Sequence, residues 1–463
     1  MIRTARSALE AVPPPAWVAA VLILLPLVVV LATYRGMLLL VAVGAAGLFG
    51  VAFTITWPLP MLVVYVALIP VEALLVLGPV GTLTRLVGIV FFGGYLLRRM
   101  GGLRMDAMPL VGWAFLVWAA MSAMWALDPA IAFTELVTVF QLALITVVIA
   151  DLVSDQPRSV QTILWAYTGS AVVVAVIGIV EYVAGNGFGG DRASAFAEQG
   201  PAHLAAVLLP AFFFLAFQLT NRQRRAAVGL ALLLVFTAIL LSGTRSAWLA
   251  IAVTALVGLL PRVGRRAILP ATLLGLAFLA ILQVPEVGAL YADRLSSALS
   301  TGGAGRVDIW AVGLSIITRN PIIGVGFANF PTAFTPEAIR ATEVPGLNLG
   351  ILVPATAPHS ILIGTLAELG VVGLLLLAGF FISIFRRPGY GALSSPVKII
   401  LFGLLVQAFF LDLLERKQVW LIIALILGLG VAEMKERRRQ AGEQKAGRIR
   451  FAERIRSTWG PAP

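Results

Sequence analysis

The chain has 463 residues, 60% hydrophobic and only 12% charged, with a formal net charge of +12 and no cysteine. Soluble domains hold roughly 45–50% apolar and about 25% charged residues, so a water-soluble fold is excluded, as are disulfides, thiol catalysis and thiolate metal sites. Two histidines are too few for a typical zinc centre, and the basic residues stand in short clusters between apolar runs, a mark of membrane topology rather than of nucleic-acid binding.

Stretches such as Ala226 to Leu241 and Ile361 to Phe385 are apolar on every face, which fits membrane helices and not the alternating segments of a β-barrel. The expected fold is an all-α polytopic membrane protein. Arg3 and Arg6 precede an apolar run from Trp17 to Thr33 that reads as a retained first span rather than a signal peptide. Further spans are expected near 37–56, 59–77, 83–97, 108–125, 131–150, 160–184, 202–219, 226–242, 246–260, 267–283, 359–385, 399–413 and 418–432. That makes about 14 at ~20 residues each, or about 12 if the proline-broken early group and the short pair after Val397 are each reduced.

Alternating the loops from a cytoplasmic N-terminus puts most of the 34 basic residues inside, including Arg98, Arg99, Arg104, Arg386, Arg387, Lys398 and the tail, as the positive-inside rule requires. Arg85, Arg192, Arg245, Arg306, Arg416 and Lys417 then lie on the outer side and need another reason. The expected units are an N-terminal transmembrane bundle (1–283), a periplasmic loop with interfacial helices (284–358), C-terminal transmembrane helices (359–432) and a basic cytoplasmic tail (433–463). Within the loop, Val307 to Thr318 reads as a helix at the interface, ended by Asn320-Pro321.

Arg245 stands in Leu241-Ser242-Gly243-Thr244-Arg245-Ser246 between two apolar runs. Its fork suits phosphate oxygens, and snorkelling to lipid headgroups is the alternative. Arg306 follows Gly302-Gly303-Ala304-Gly305 at a helix start, a candidate anion site or a simple cap; Arg192, after Gly189-Gly190-Asp191, is of the same kind. His359, where the long loop re-enters the membrane, is either a general base or a polar cap. Glu368 lies two and a half turns further on, on the opposite face, and His203 reads as a structural polar residue. Gly324-Val325-Gly326 lacks the third glycine of a dinucleotide loop and reads as lying outside the membrane. No Walker motif and no Asp-x-Asp metal pair occurs.

In order and spacing, Ser242-Gly243-Thr244-Arg245-Ser246, Gly305-Arg306-Val307-Asp308-Ile309-Trp310, Asn320-Pro321-Ile322-Ile323-Gly324-Val325-Gly326 and His359-Ser360 with Glu368-Leu369-Gly370 resemble the O-antigen ligase and O-antigen polymerase superfamily over residues 100–430. The resemblance implies a GT-C-like glycosyltransferase in the bacterial inner membrane, active on the periplasmic side, with both termini cytoplasmic. It implies an undecaprenyl-diphosphate-linked glycan as donor, lipid A core or a second lipid-linked glycan as acceptor, membrane lipids as surroundings, and no cofactor, metal or nucleic acid. Carried over by motif, Arg245, Arg306 and Arg192 bind the donor diphosphate, and His359 deprotonates the acceptor with inversion at the anomeric centre. Where the family often has Pro-Asn, this chain has Pro201-Ala202-His203. Transfer to a second lipid-linked repeat unit, as a polymerase, or to a protein shares the same donor. A lipid or polysaccharide flippase is the alternative of another class, but neither an inverted repeat nor a midplane charge cluster is evident.

The topology is directly testable. With no native cysteine, a cysteine at Ala338 should react with an impermeant thiol reagent in spheroplasts and one at Ala392 should not; the reverse pattern overturns the orientation.

Overall fold

The computed structural model describes residues 38–459 except 78–80, 101, 190–191, 196–199, 220–224, 259–305 and 342–355. The expected spans at 17–33 and 267–283, and the loop at 284–305 and 342–355, lie outside the described residues. Among the described residues all regular structure is helical: α1 (Leu38–Thr56), α2 (Pro58–Leu68), α3 (Leu83–Arg99), α4 (Leu110–Ser122), α5 (Pro129–Asp155), α6 (Ser159–Val183), α7 (Gly200–Gln218), α8 (Arg225–Leu241), α9 (Arg245–Gly258), α10 (Arg306–Arg319), α11 (Phe330–Ala341), α12 (Ile361–Arg386), α13 (Ser394–Ala408) and α14 (Lys417–Trp459). Five of them, α5, α6, α7, α12 and α14, are long and apolar enough to cross a membrane.

One expected boundary is corrected. The segment expected as one span over 59–77 is helical only to Leu68 and continues as a 3-10 turn, Glu72–Leu74, because Pro70 cannot extend the hydrogen-bond ladder and restricts the residue before it. The last span, expected over 418–432, coincides with the buried stretch of α14, which continues as an exposed helix into the tail.

Helices α5 and α14 form the centre, and from Val419 to Ala432 α14 is buried on all sides, the pattern of a helix apolar all round. Gly428 lets the two backbones close up, since a Cβ there would meet Val153 and the Ala150 carbonyl. Around this pair, α1 lies against α3, α4 against α12, α9 against α13, and α6, α7 and α8 against one another. One end of the bundle gathers basic residues expected inside. Asp151, fully buried, accepts from Tyr95 Oη at 2.8 Å and Arg99 Nε at 2.6 Å, while Lys435 reaches Asp155 at 2.6 Å. Arg387 donates to the Ala107 carbonyl at 3.2 Å at the same end.

The opposite end is organised by a break in α12. Gly370 has φ +67° and ψ −169°, a conformation essentially reserved for glycine, and the helix ladder is interrupted there. The loop after α10 supplies the missing partners. Val325 N donates to Ala367 O and Gly326 N to Glu368 O, both at 2.9 Å, while Val371 N donates to Pro321 O at 2.9 Å. Trp118 Nε1 donates to the Leu369 carbonyl at 3.0 Å. Gly324 (φ +70°) brings the loop backbone against Glu368 where a side chain would collide. The motif Pro321 to Gly326 is therefore docked into the break of α12.

At Gly370 a Cβ would also strike the Ile322 carbonyl. Gly370→Ala is thus expected to lower the thermal unfolding midpoint in detergent by the equivalent of at least about 3 kcal/mol. Gly169→Ala, in α6 with nothing within 4 Å of the added methyl, should leave it unchanged or raised.

Candidate functional site

Three helix starts meet beyond this break. At the first, α8 ends after Leu241 and Gly243 turns the chain with φ +62°, its N–H donating to Leu240 O at 2.8 Å, as a glycine just past a helix end does. The Thr244 hydroxyl donates to Pro201 O at 3.1 Å, the Ser242 hydroxyl to Thr244 Oγ1 at 2.9 Å, and Arg192 Nε to the Ser242 carbonyl at 2.9 Å. This buried polar clamp delivers Arg245 as the first residue of α9. At the second, Arg306 is the first residue of α10, whose apolar face Ile309, Val312 and Ile316 packs with Phe330, Phe334 and Ala367.

Both arginines line one cleft of about 550 Å³, open mouth included, with Ser246, Leu249, Val307, Trp310 and Phe410. The Trp310 and Phe410 rings lie 6.0 Å apart, and Trp310 Nε1 donates to Pro358 O at 3.2 Å. Both guanidinium groups are half-buried, and among the described residues no carboxylate lines the cleft with them. Burial first, and then the neighbouring Arg245 charge, lower the pKa of Arg306. Two cations at helix N-termini also oppose the backbone dipole. This arrangement stores positive potential that an anion would relieve.

His359 is at the third start. It does not line the cleft but stands beside it, next to Pro358 and before Ser360, whose hydroxyl caps α12 by accepting from Ile363 N at 3.5 Å. Its backbone is left-handed, φ +47°, a region several-fold enriched in Asn, Asp and His but still costing of order 1–3 kcal/mol for such a residue. Burial first, and then the Arg306 charge, push the imidazole below its ordinary value of 6.5, so the ring is neutral at neutral pH and able to accept a proton.

Arg192 is not brought into this cleft by the contacts above; its Nε holds the turn that presents Arg245. His203 accepts from Arg416 Nη2 at 2.7 Å through Nε2, since a guanidinium only donates. Glu368 accepts from Ala328 N at 3.0 Å and Phe330 N at 3.2 Å, tying the start of α11 to α12. Phe410 closes the cleft from far along the chain, and nothing in its local sequence signals this. Among the described residues no three His, Asp or Glu side chains converge as metal ligands.

An all-helical membrane protein with a cationic cleft at one end of its bundle is the class these observations define. Residues 230–378 match the family model described as O-antigen ligase, which supports the superfamily resemblance carried by the motifs and a function of the O-antigen ligase or polymerase type. Arg245, Arg306 and His359 all fall within the matched residues, and Arg192 falls outside them. No curated protein matches the chain.

Proposed function

We propose that the protein is a glycosyltransferase of the bacterial inner membrane. It moves a glycan from an undecaprenyl-diphosphate carrier to an acceptor hydroxyl, that of lipid A core, on the periplasmic side. The observation that carries this reading is the pair of half-buried guanidinium groups, Arg245 and Arg306, facing one cleft with a neutral imidazole beside them. A departing diphosphate develops negative charge, and fixed donors in a site of low dielectric stabilise it without reorganising. The acceptor oxygen attacks the anomeric carbon, the bond from that carbon to the diphosphate oxygen breaks, and the hydroxyl proton passes to His359. A single displacement inverts the anomeric centre. Arg192 acts as a positioning residue, through Ser242 and the turn before Arg245.

Purified protein given lipid-linked glycan, with and without lipid A core, tests the reaction and the acceptor together. Transfer to lipid A core is expected; transfer only to a second lipid-linked glycan would make the protein a polymerase. Arg245→Lys keeps charge but loses the planar fork, and is expected to lower kcat by about 10²–10³-fold, roughly 3 kcal/mol of transition-state stabilisation. Near-normal turnover would reduce Arg245 to a lipid anchor.

The pH dependence follows from the direction of the His359 shift. A base must be neutral to act, so kcat/KM should rise with pH through a limb below 6.5 and be level at neutral pH. Bound diphosphate offsets the Arg306 charge, so the limb in kcat should lie at higher pH than the limb in kcat/KM. His359→Gln should lose both limbs and at least about 10²-fold in rate. Wild-type activity in that variant would leave the histidine only a positioning role.

A further inference from the structure

A larger cleft lies on the other side of the α13–α14 connection, outside the cationic site. It encloses about 1180 Å³, mouth included, between α3 and α5, with α2 and the start of α14 around it. Its mouth carries Glu72, Thr82, Arg85 and Lys417; its depth carries Gly88, Phe92, Leu142 and Ile145. Glu72 is engaged by Lys417 and by the Thr82 hydroxyl, the latter at 2.6 Å. Arg85 is exposed and, among the described residues, has no carboxylate partner, which leaves one uncompensated positive charge at the mouth. Arg85 occupies the first turn of α3, where the backbone dipole disfavours a cation, so local structure does not account for it.

The levels of the lining groups indicate the occupant. A Cβ on Gly88 would approach Tyr65 at 3.0 Å and Ile145 at 3.4 Å, so Gly88 and Ile145 face each other. Gln141 lies one turn above Ile145, and Arg85 nearly one turn above Gly88. A guanidinium and a primary amide therefore stand at one height, with an apolar slot beneath them. That order matches a glycerophospholipid: a phosphodiester at Arg85, ester carbonyls at Gln141, and an acyl chain along the apolar lining of Ile89 and Phe92. A polyprenyl chain has no carbonyl for Gln141, and a diphosphate calls for two guanidinium groups, as Arg245 and Arg306 provide.

We propose that this cleft binds an anionic glycerophospholipid of the surrounding bilayer, headgroup at Arg85 and acyl chain along Ile89 and Phe92. The proposal does not depend on the glycosyltransferase reading.

Native mass spectrometry of the full chain, taken from nanodiscs of phosphatidylcholine and phosphatidylglycerol, tests it. Wild type is expected to retain phosphatidylglycerol over phosphatidylcholine. Arg85→Glu should lose that preference at least tenfold with its unfolding midpoint unchanged, and Ile89→Trp, filling the exposed apolar lining, should lose bound lipid of both kinds. Equal retention of phosphatidylglycerol by wild type and Arg85→Glu overturns the proposal. So does displacement of the retained lipid by stoichiometric polyprenyl diphosphate in an Arg245→Ala variant, which would make the cleft a substrate site. If Ile89→Trp does not fold, the Arg85→Glu comparison decides alone.

Discussion

Backbone polar groups have no water to turn to inside a bilayer, and the fold depends on how that constraint is met at Gly370. A transmembrane helix that breaks frees carbonyl and N–H groups, which is tolerated only where other protein groups take them up. Here the backbone from Pro321 to Gly326 does so, with three hydrogen bonds of 2.9 Å. The same contact fixes the loop and, with it, the end of α10 on one side and the start of α11 on the other. Glu368, two residues before the break, adds two hydrogen bonds to that docking, accepting from Ala328 N and Phe330 N. The position of Arg306 is thus a consequence of a break in α12, the helix at whose head His359 stands.

Placement of the charges follows a second rule, that a cation held in low dielectric seeks an anion. At the end of the bundle that gathers Arg99 and Lys435, buried and half-buried carboxylates answer the cations within the protein. At the other end Lys417 pairs with Glu72 and Arg416 donates to His203, whereas Arg245 and Arg306 line a cleft that holds no carboxylate among the described residues. The contrast within one molecule separates cations answered within the fold from the pair on which the proposed function rests.

Much of the helical framework was legible because apolar runs bounded by Gly, Pro and Arg are the dominant signal in a membrane chain. The ends of α6, α8 and α12 lie within two residues of expectation. The early group was misjudged because hydropathy continues through Pro70 while hydrogen bonding does not. The break at Gly370 was not legible, since glycine is common in transmembrane helices and only a partner distant in sequence makes its positive φ necessary. For the site, Arg245, Arg306 and His359 were singled out by their chemistry at span boundaries, and they do come together. Arg192 carried the same signal, yet its Nε serves a backbone carbonyl. Phe410 and the docking of Pro321 to Gly326 were out of reach because each depends on tertiary contact alone.

The continuity of α14 changes what the net charge of +12 means. A helix rises ~1.5 Å per residue, so after Lys435, moored to Asp155 at the bundle's edge, Arg450 stands roughly 22 Å further along the axis. Fields from exposed charges fade over about 8 Å in physiological salt. Along the rod, Arg437 pairs with Glu433 at 2.8 Å, and Arg439 with Glu436 at 2.8 Å and Glu443 at 3.3 Å, so part of the charge is cancelled where it stands. The distal basic residues thus stand beyond the screening distance from the bundle's rim, and the field at that rim is set by the few cations located there.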